Sequence, residues 1–197
     1  MARPAKRSRQ SRRTARLDFA AIEIVGGLLP PEVVTRVAAF DMPDQSEESY
    51  GILRGLKLRD EIARFYQIAL AHWERFDAAR AGNASAPQTF VLDLLRDCFG
   101  FANIEGTGVV SLSGRSFPIR HAAHGGKTPI VIAPTAPADS RRAGVDEPLA
   151  QFGDETRRRS ATQLLQEYLN ADESALWGLA SDGCTLRLMR DNARLTR

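Results

Sequence analysis

Long apolar runs are missing from this chain of 197 residues. No stretch approaches the roughly 20 apolar residues that a membrane-spanning helix needs. The basic opening MARPAKRSRQSRRTAR is followed by a short apolar stretch that Glu23, Gly26 and Gly27 interrupt, whereas a secretory leader carries an unbroken apolar core. Cysteine is scarce: Cys98 and Cys184 are the only two, too few for a disulfide framework. One lies in a helical pattern and the other in a strand pattern, so the expectation is reduced, buried thiols in a soluble cytoplasmic protein. Histidine is scarce as well, at three residues. The closest pair, His121 and His124 in RHAAHGGK, has no neighbouring cysteine or acid to complete a metal set and reads as a loop pair.

Acid is absent from the first 16 residues, and this absence says the most. Arg3, Lys6, Arg7, Arg9, Arg12, Arg13 and Arg16 give that arm +7, which leaves the remaining residues at −4 within a whole-chain charge of +3. Such an arm buries too little apolar surface to offset its ordering entropy, so residues 1–16 are expected to be disordered. The arm suits phosphate contact through counterion release, an attraction that weakens steeply with salt. A solubilising tail is the plainer reading. A second basic run, DETRRRS at residues 154–160, offers Arg157 and Arg158 to DNA. On a helix its three arginines diverge, and pairs such as Asp154 with Arg158 and Glu155 with Arg159 would hold them at the surface.

What is present is patterning for one mixed domain behind a helical front. Residues 19–25 read as a short strand, and Pro30 and Pro31 open a helix at the position where a missing N–H costs least. A second helix is expected from Ser46 or Ser49 to about Arg80, with Leu53, Leu56, Ile62, Phe65, Ala69 and Trp73 at helical spacing. These elements make up a segment of residues 17–82, ahead of a domain over 87–197. Phe90, Leu94, Leu95 and Cys98 share a face of a third helix that Gly100 ends. Strands are expected at 109–112, 117–119 and 129–133, then a mobile loop, then a helical pattern over 150–169. Two last strands at 176–180 and 185–189 flank Ser181, Asp182 and Gly183, an Asp-Gly turn signal. Leu186 and Leu188 share one face of the second, which sends Arg187 to solvent or a neighbouring domain. Trp73 and Trp177 read as core anchors. The fold class is α+β, with a helical N-terminal part and then an αβββαβ mixed sheet ending in a β-hairpin.

The block LWGLASDGCTLRLMRDN, after the helix TQLLQEYLN and with FVLDLLRDCFGF upstream, resembles the N-terminal domain of large bacterial restriction-modification proteins. These are the Type IIG-like adenine-specific DNA methyltransferases related to those of phage defence, and the resemblance covers residues 90–197. It implies a PD-(D/E)XK nuclease-like fold. Activity in that fold needs an acid on the second strand and Glu-x-Lys on the third, with Mg²⁺ and the lysine preparing a water. Here RSFPIRHAAH offers Phe117, Pro118 and Ile119 at the acid position. TPIVIAPTAP offers Ala133 or Pro134 for the glutamate and Thr135 or Ala136 for the lysine. A Gln-x-x-x-Tyr helix signature is out of register at Gln163 and Tyr168. The resemblance therefore implies a degenerate nuclease-like domain without catalytic residues.

The methyltransferase half has no counterpart here. The glycine cluster EGTGVVSLSG precedes a strand and not a helix, and no Asn-Pro-Pro-Tyr-like motif is present. S-adenosylmethionine is then expected only in a further domain, and the chain is expected to be truncated after Arg197. The functional expectation is a non-catalytic domain, or truncated form, of an adenine-N6 DNA methyltransferase, with DNA and possibly a methyltransferase domain or subunit as partners. The alternative is a free-standing scaffold protein with a nuclease-like fold. A third reading, a metal-dependent nuclease, would have to draw on Glu105, Asp93 and Lys127.

Overall fold

The computed structural model describes residues 21–25, 28–153 and 157–191. The expected basic arm, residues 1–16, lies outside them. Two compact units divide the chain, Met1–Leu58 and Arg59–Arg197.

In the first unit, α1 (Pro31–Ala38) opens on the proline pair as expected, with Pro30 as its N-cap. Arg36 closes it by donating to the Asp41 carbonyl at 2.8 Å. None of its residues is buried. Two expectations change here. Residues 22–25 form no strand, while Phe19 and Ala20 lie outside the described residues. The long helix does not begin at Ser46 or Ser49. Ser46 Oγ accepts from the Ser49 N–H at 3.1 Å, which is local capping geometry. Gly51 and Gly55 then take φ of +65° and +96°, left-handed positions that stop a helix. Leu53 and Leu56 are consequently exposed on turns.

The second unit holds the sheet. Helix α2 (Leu58–Ala79) leads into α3 (Ala86–Asp97), and Gly100 at φ +74° follows as a left-handed stop. The strands are β1 (Ile104–Gly106), β2 (Val110–Leu112), β3 (Arg115–Phe117), β4 (His121–Ala123) and β5 (Thr128–Ile132). Helix α4 (Ala161–Ala171) and strands β6 (Trp177–Ser181) and β7 (Leu186–Arg190) complete it. The main sheet runs β1-β4-β5-β6-β7, and β2 with β3 forms a separate two-stranded hairpin. Strand pairs are antiparallel except β5 with β6, where Ile130 faces Leu179 in parallel register. A parallel pair requires a crossover, and α4 supplies it. The fold is α+β, and the order helix, three strands, helix, strand stands with the β2-β3 hairpin inserted.

That insertion corrects the strand assignment. The stretches expected at 109–112 and 117–119 belong to the hairpin and its exit, whereas the first two strands of the sheet are β1 and β4. At three residues each, those strands are too short to show an alternation.

Helices cover both faces. Phe90, Val91 and Leu95 of α3, with Phe76 of α2, pack on Ala123, Ile130 and Leu179. Leu164, Leu165 and Leu169 of α4 pack on Val131 and Ala180 from the other side, with Phe117 and Ile119. Burying one such leucine contributes roughly 1.5–3 kcal/mol, so truncating Leu165, which is fully buried, to Ala should destabilise by about 2–5 kcal/mol.

Side-chain pairing fixes α2 against α3. Arg75 Nη2 lies 2.5 Å from His72 Nδ1, and His72 Nε2 lies 2.8 Å from Asp97 Oδ2. A guanidinium can only donate, so Nδ1 accepts and Nε2–H donates to the carboxylate. Phe76 stacks on Phe90 at 4.8 Å between ring centroids. Trp73 meets Phe90 edge-on at 5.9 Å, yet it remains 36% exposed and is only half the expected core anchor.

Helix α4 starts later than its sequence pattern. Ser160 accepts from the Gln163 N–H and Gln163 returns a bond to the Ser160 N–H, a capping box that sets the start at Ala161. Upstream, Ala150–Phe152 is a 3-10 turn, and Arg159 bridges back to Leu149. Near its end, burial and the Asp172 carboxylate push the Tyr168 phenol up to about 12. An acid whose folded value is raised loses stability as pH climbs from the unfolded value, about 10, through the folded one. Melting temperature should therefore fall between about pH 10 and about pH 12 by more in the native chain than in Tyr168→Phe, measured by circular dichroism.

The closing hairpin forms as its Asp-Gly signal implies. Gly183 has φ +86° and sits against the Phe76 ring, where an added Cβ would meet Cζ at 2.5 Å. Facing reverses one expectation. Leu186 and Leu188 are 39% and 52% exposed, and Arg187 turns inward to form paired 2.6 Å bonds with both Asp146 oxygens. Trp177 is half-buried beneath Arg190, whose guanidinium lies 5.4 Å from its ring centroid. The thiols are free as expected, but only Cys98 is partly buried and Cys184 is exposed on the hairpin turn.

Candidate nucleic-acid interface

A cleft of about 200 Å³ opens where the start of α3, the entry to β4 and the exit of β5 converge, beside the Ala150–Phe152 turn. Among the described residues its polar lining is Ser85, Gln88, Arg120, His121 and Gln151, with no Asp or Glu. Strand pairing explains the convergence: His121 lies directly opposite Ile130, so the residues entering β4 sit beside those leaving β5. Helix α3 contributes its N-terminal turn. That turn carries no acid and Ser85 makes no side-chain capping bond; the Ala86 N–H donates to the Asn83 carbonyl at 3.1 Å, and Pro87 has no N–H to leave unpaired.

Electrostatics follow from this lining. Burial holds the His121 imidazole below its ordinary value, and the Arg120 and Arg96 charges add to the effect. Arg120 is exposed at the rim beside that ring. An anion in the cleft would meet one guanidinium, an imidazole able to gain a proton, and two side-chain amides. This chemistry suits a phosphate oxygen.

The positions matched to nuclease chemistry shift with the strands. The second strand of the sheet is His121–Ala123, so Phe117, Pro118 and Ile119 precede it; Phe117 and Ile119 are buried. The third is Thr128–Ile132, so Ala133, Pro134, Thr135 and Ala136 follow it. Neither strand contains an acid or a lysine. Glu105 on β1 pairs with Ala122 at the sheet edge. Asp93 on α3 sits near Arg96 at 4.0 Å, and Lys127 is exposed in the β4–β5 turn. These three residues stand on three different elements. Among the described residues no cluster of three or more His, Cys, Asp or Glu could hold a metal ion, and no helix is long and apolar enough to cross a membrane.

Of the residues expected to contact DNA, Arg3, Lys6, Arg7, Arg9, Arg12, Arg13 and Arg16 lie outside the described residues. Arg157 and Arg158 precede α4 and are not on a helix as expected; both are exposed. Arg157 pairs with Glu167. The suggested pairings through Asp154 and Glu155 lie outside the described residues. Sequence reasoning missed Ser85, Gln88, Arg120 and Gln151, and read His121 only as one of a loop pair. These residues come from three separate segments, and no contiguous motif signals them.

The fold class is thus α+β with a mixed five-stranded sheet. Comparison with family models, curated proteins and solved structures finds no match for the chain.

Proposed function

We propose that this chain is a non-catalytic, DNA-contacting module with a degenerate restriction-endonuclease-like fold. In this reading it is the N-terminal domain, or a truncated form, of a restriction-modification-type adenine-N6 DNA methyltransferase. Methyl transfer and S-adenosylmethionine then belong to a companion domain or subunit. The observation that carries the reading is the cleft at β4 and β5: a nuclease of this fold would hold Mg²⁺ with carboxylates there, and this chain presents Arg120, His121, Gln88 and Gln151. Replacing acids by cationic and amide groups turns a metal-holding cleft into an anion-holding one. Such contacts position a duplex without reading its sequence, and the basic arm adds a second, sequence-tolerant contact. The element order and the αβββαβ resemblance support the fold assignment.

A salt titration of duplex binding by fluorescence anisotropy tests this. The full chain should bind at low salt, with an affinity that falls steeply as salt rises. Deleting residues 1–16 should flatten that slope by several phosphate contacts. Arg120→Ala should weaken binding about equally on unrelated sequences and lower the slope by roughly one contact. Absence of binding by the full chain at low salt would reject the reading in favour of a protein-docking scaffold.

A further inference from the structure

Strand β5 outruns its neighbour β4 in the sheet. His121, the first residue of β4, faces Ile130, while β5 continues to Ile132. On its other side β5 stays paired to the end: Ile132 faces Ser181 of β6, and the Ala133 N–H donates to the Ser181 carbonyl at 2.7 Å. Backbone groups alternate sides along an extended strand, so the Ile132 N–H and C=O turn the opposite way, toward the β4 side. By register their partner there is Ile119, and that rung is not made. The Ile119 N–H donates to the Phe117 carbonyl at 2.8 Å, and the Ile119 carbonyl accepts from Thr107 Oγ1. Among the described residues nothing bonds the Ile132 N–H or C=O.

This open rung belongs to the cleft, which Ile132 lines. Ile132 is half-buried, and a buried backbone donor and acceptor call for a partner. Standing side by side, they match a planar edge that carries an acceptor beside a donor. The Watson–Crick edge of every base does so: adenine N1 with N6–H, cytosine N3 with N4–H, guanine O6 with N1–H, thymine O4 with N3–H. In a duplex those edges are already paired, so the base must be an unpaired one. Volume agrees. A cavity of roughly 150 Å³ takes a benzene ring, so a cleft of about 200 Å³ takes one base and not a base pair. Pro118, Pro134 and Phe152 add apolar lining that a phosphate alone does not need.

We propose that the cleft takes one unpaired nucleotide of a DNA strand, with its phosphate on Arg120 and His121 and its Watson–Crick edge on the open rung of Ile132. This rests on the reading of the chain as a DNA-contacting module and names what its cleft accepts. Since all four bases carry such an edge, the contact is tolerant of sequence and selective for unpaired DNA.

Fluorescence anisotropy of the full chain at one low salt concentration tests this with a blunt duplex, the same duplex carrying a short thymine overhang, and that overhang built from N3-methylthymine. Methylation keeps every phosphate and every ring and blocks the Watson–Crick edge. The thymine overhang should bind about tenfold tighter than the methylated one, within the range for one held base. Amide hydrogen exchange read by NMR locates the contact. In the free chain the Ile132 amide should exchange faster than those of Val131 and Ala133, and the thymine overhang should slow it where the methylated one does not. Equal affinity for the two overhangs, with blunt-duplex binding intact and weakened by Arg120→Ala, would overturn this proposal and leave the DNA-contacting reading standing. No binding of any probe would overturn both. An Ile132 amide as protected as its neighbours in the free chain would overturn the open rung.

Discussion

Replacing Glu167 by Ala is expected to destabilise the second unit by about 3–5 kcal/mol, the range for removing one partner of a buried ion pair. Glu167, on α4, receives three guanidinium groups: Arg115 from β3 at 2.5 Å, Arg159 at 3.2 Å, and Arg157. Arg159 is the decisive one. It is 2% exposed, donates also to the Ser116 carbonyl at 3.3 Å, and lies 5.9 Å from the Phe117 ring centroid. Through this carboxylate the β2-β3 hairpin and the segment before α4 are tied to one helix. Without it, the three guanidinium groups lose the acceptor they share, one of them buried, a larger effect than the loss of a surface pair. A chain of this size should lose about 10 °C or more in Tm. Arg158→Ala, an exposed neighbour in sequence, should stay within about 0.5 kcal/mol of the native chain. Equal melts for Glu167→Ala and Arg158→Ala would show that the cluster carries no structural weight.

Asp182→Ala is expected to be as costly, for a different reason. The Asp182 side chain is buried, at 1% exposure, and accepts from three backbone N–H groups: Gly144 at 2.6 Å, Cys184 at 3.0 Å and Thr185 at 2.7 Å. Removing the carboxylate leaves those donors without their acceptor, and each such group costs about 1–3 kcal/mol; about 3–5 kcal/mol in total is expected, since the three are not additive. The effect reaches the cleft. Gly144 packs so closely that an added Cβ would stand 2.2 Å from the Pro134 carbonyl oxygen, and Pro134 lines the cleft. Thr135 Oγ1 also donates to the Asp182 carbonyl at 2.7 Å. Loss of Asp182 should therefore lower both Tm and DNA affinity, while Asp182→Asn, which keeps one acceptor oxygen, should fall between. Amide hydrogen exchange gives the local check: protection of the Thr185 and Gly144 amides should drop first.

Much of this fold is legible in the sequence, and what is hidden has physical reasons. Helix α3 and the closing hairpin were readable because each concentrates its signal locally: an apolar face ended by Gly100, and an Asp-Gly turn between apolar runs. Helix α2 was misplaced at its start because Leu53 and Leu56 continue the apolar spacing past two glycines that the backbone uses as breaks. Strands β1 and β4 were missed because their pairing is long-range and each is three residues long. Arg187 was read outward because alternation gives two faces without saying which is covered. The answer depends on Asp146, 41 residues away. The cleft was the least legible feature. Gln88, Arg120 and Gln151 have no shared motif, and only the convergence of α3, the β4-β5 pair and the Ala150–Phe152 turn brings them together.

The most direct test of the cleft is a pH titration of the His121 ring by NMR, with and without a saturating DNA duplex. Three histidines in the chain keep the spectrum simple, and His121→Gln assigns the signal. The free ring should titrate below its ordinary value, for the reasons of burial and neighbouring charge given above. A phosphate held beside it favours the charged form, so duplex should move the midpoint upward. By linkage, affinity should then rise as pH falls through the bound-state value and level off below the free-state value. An upward shift that Arg120→Ala diminishes would support phosphate binding in the cleft. An unchanged His121 midpoint at saturating duplex would contradict it.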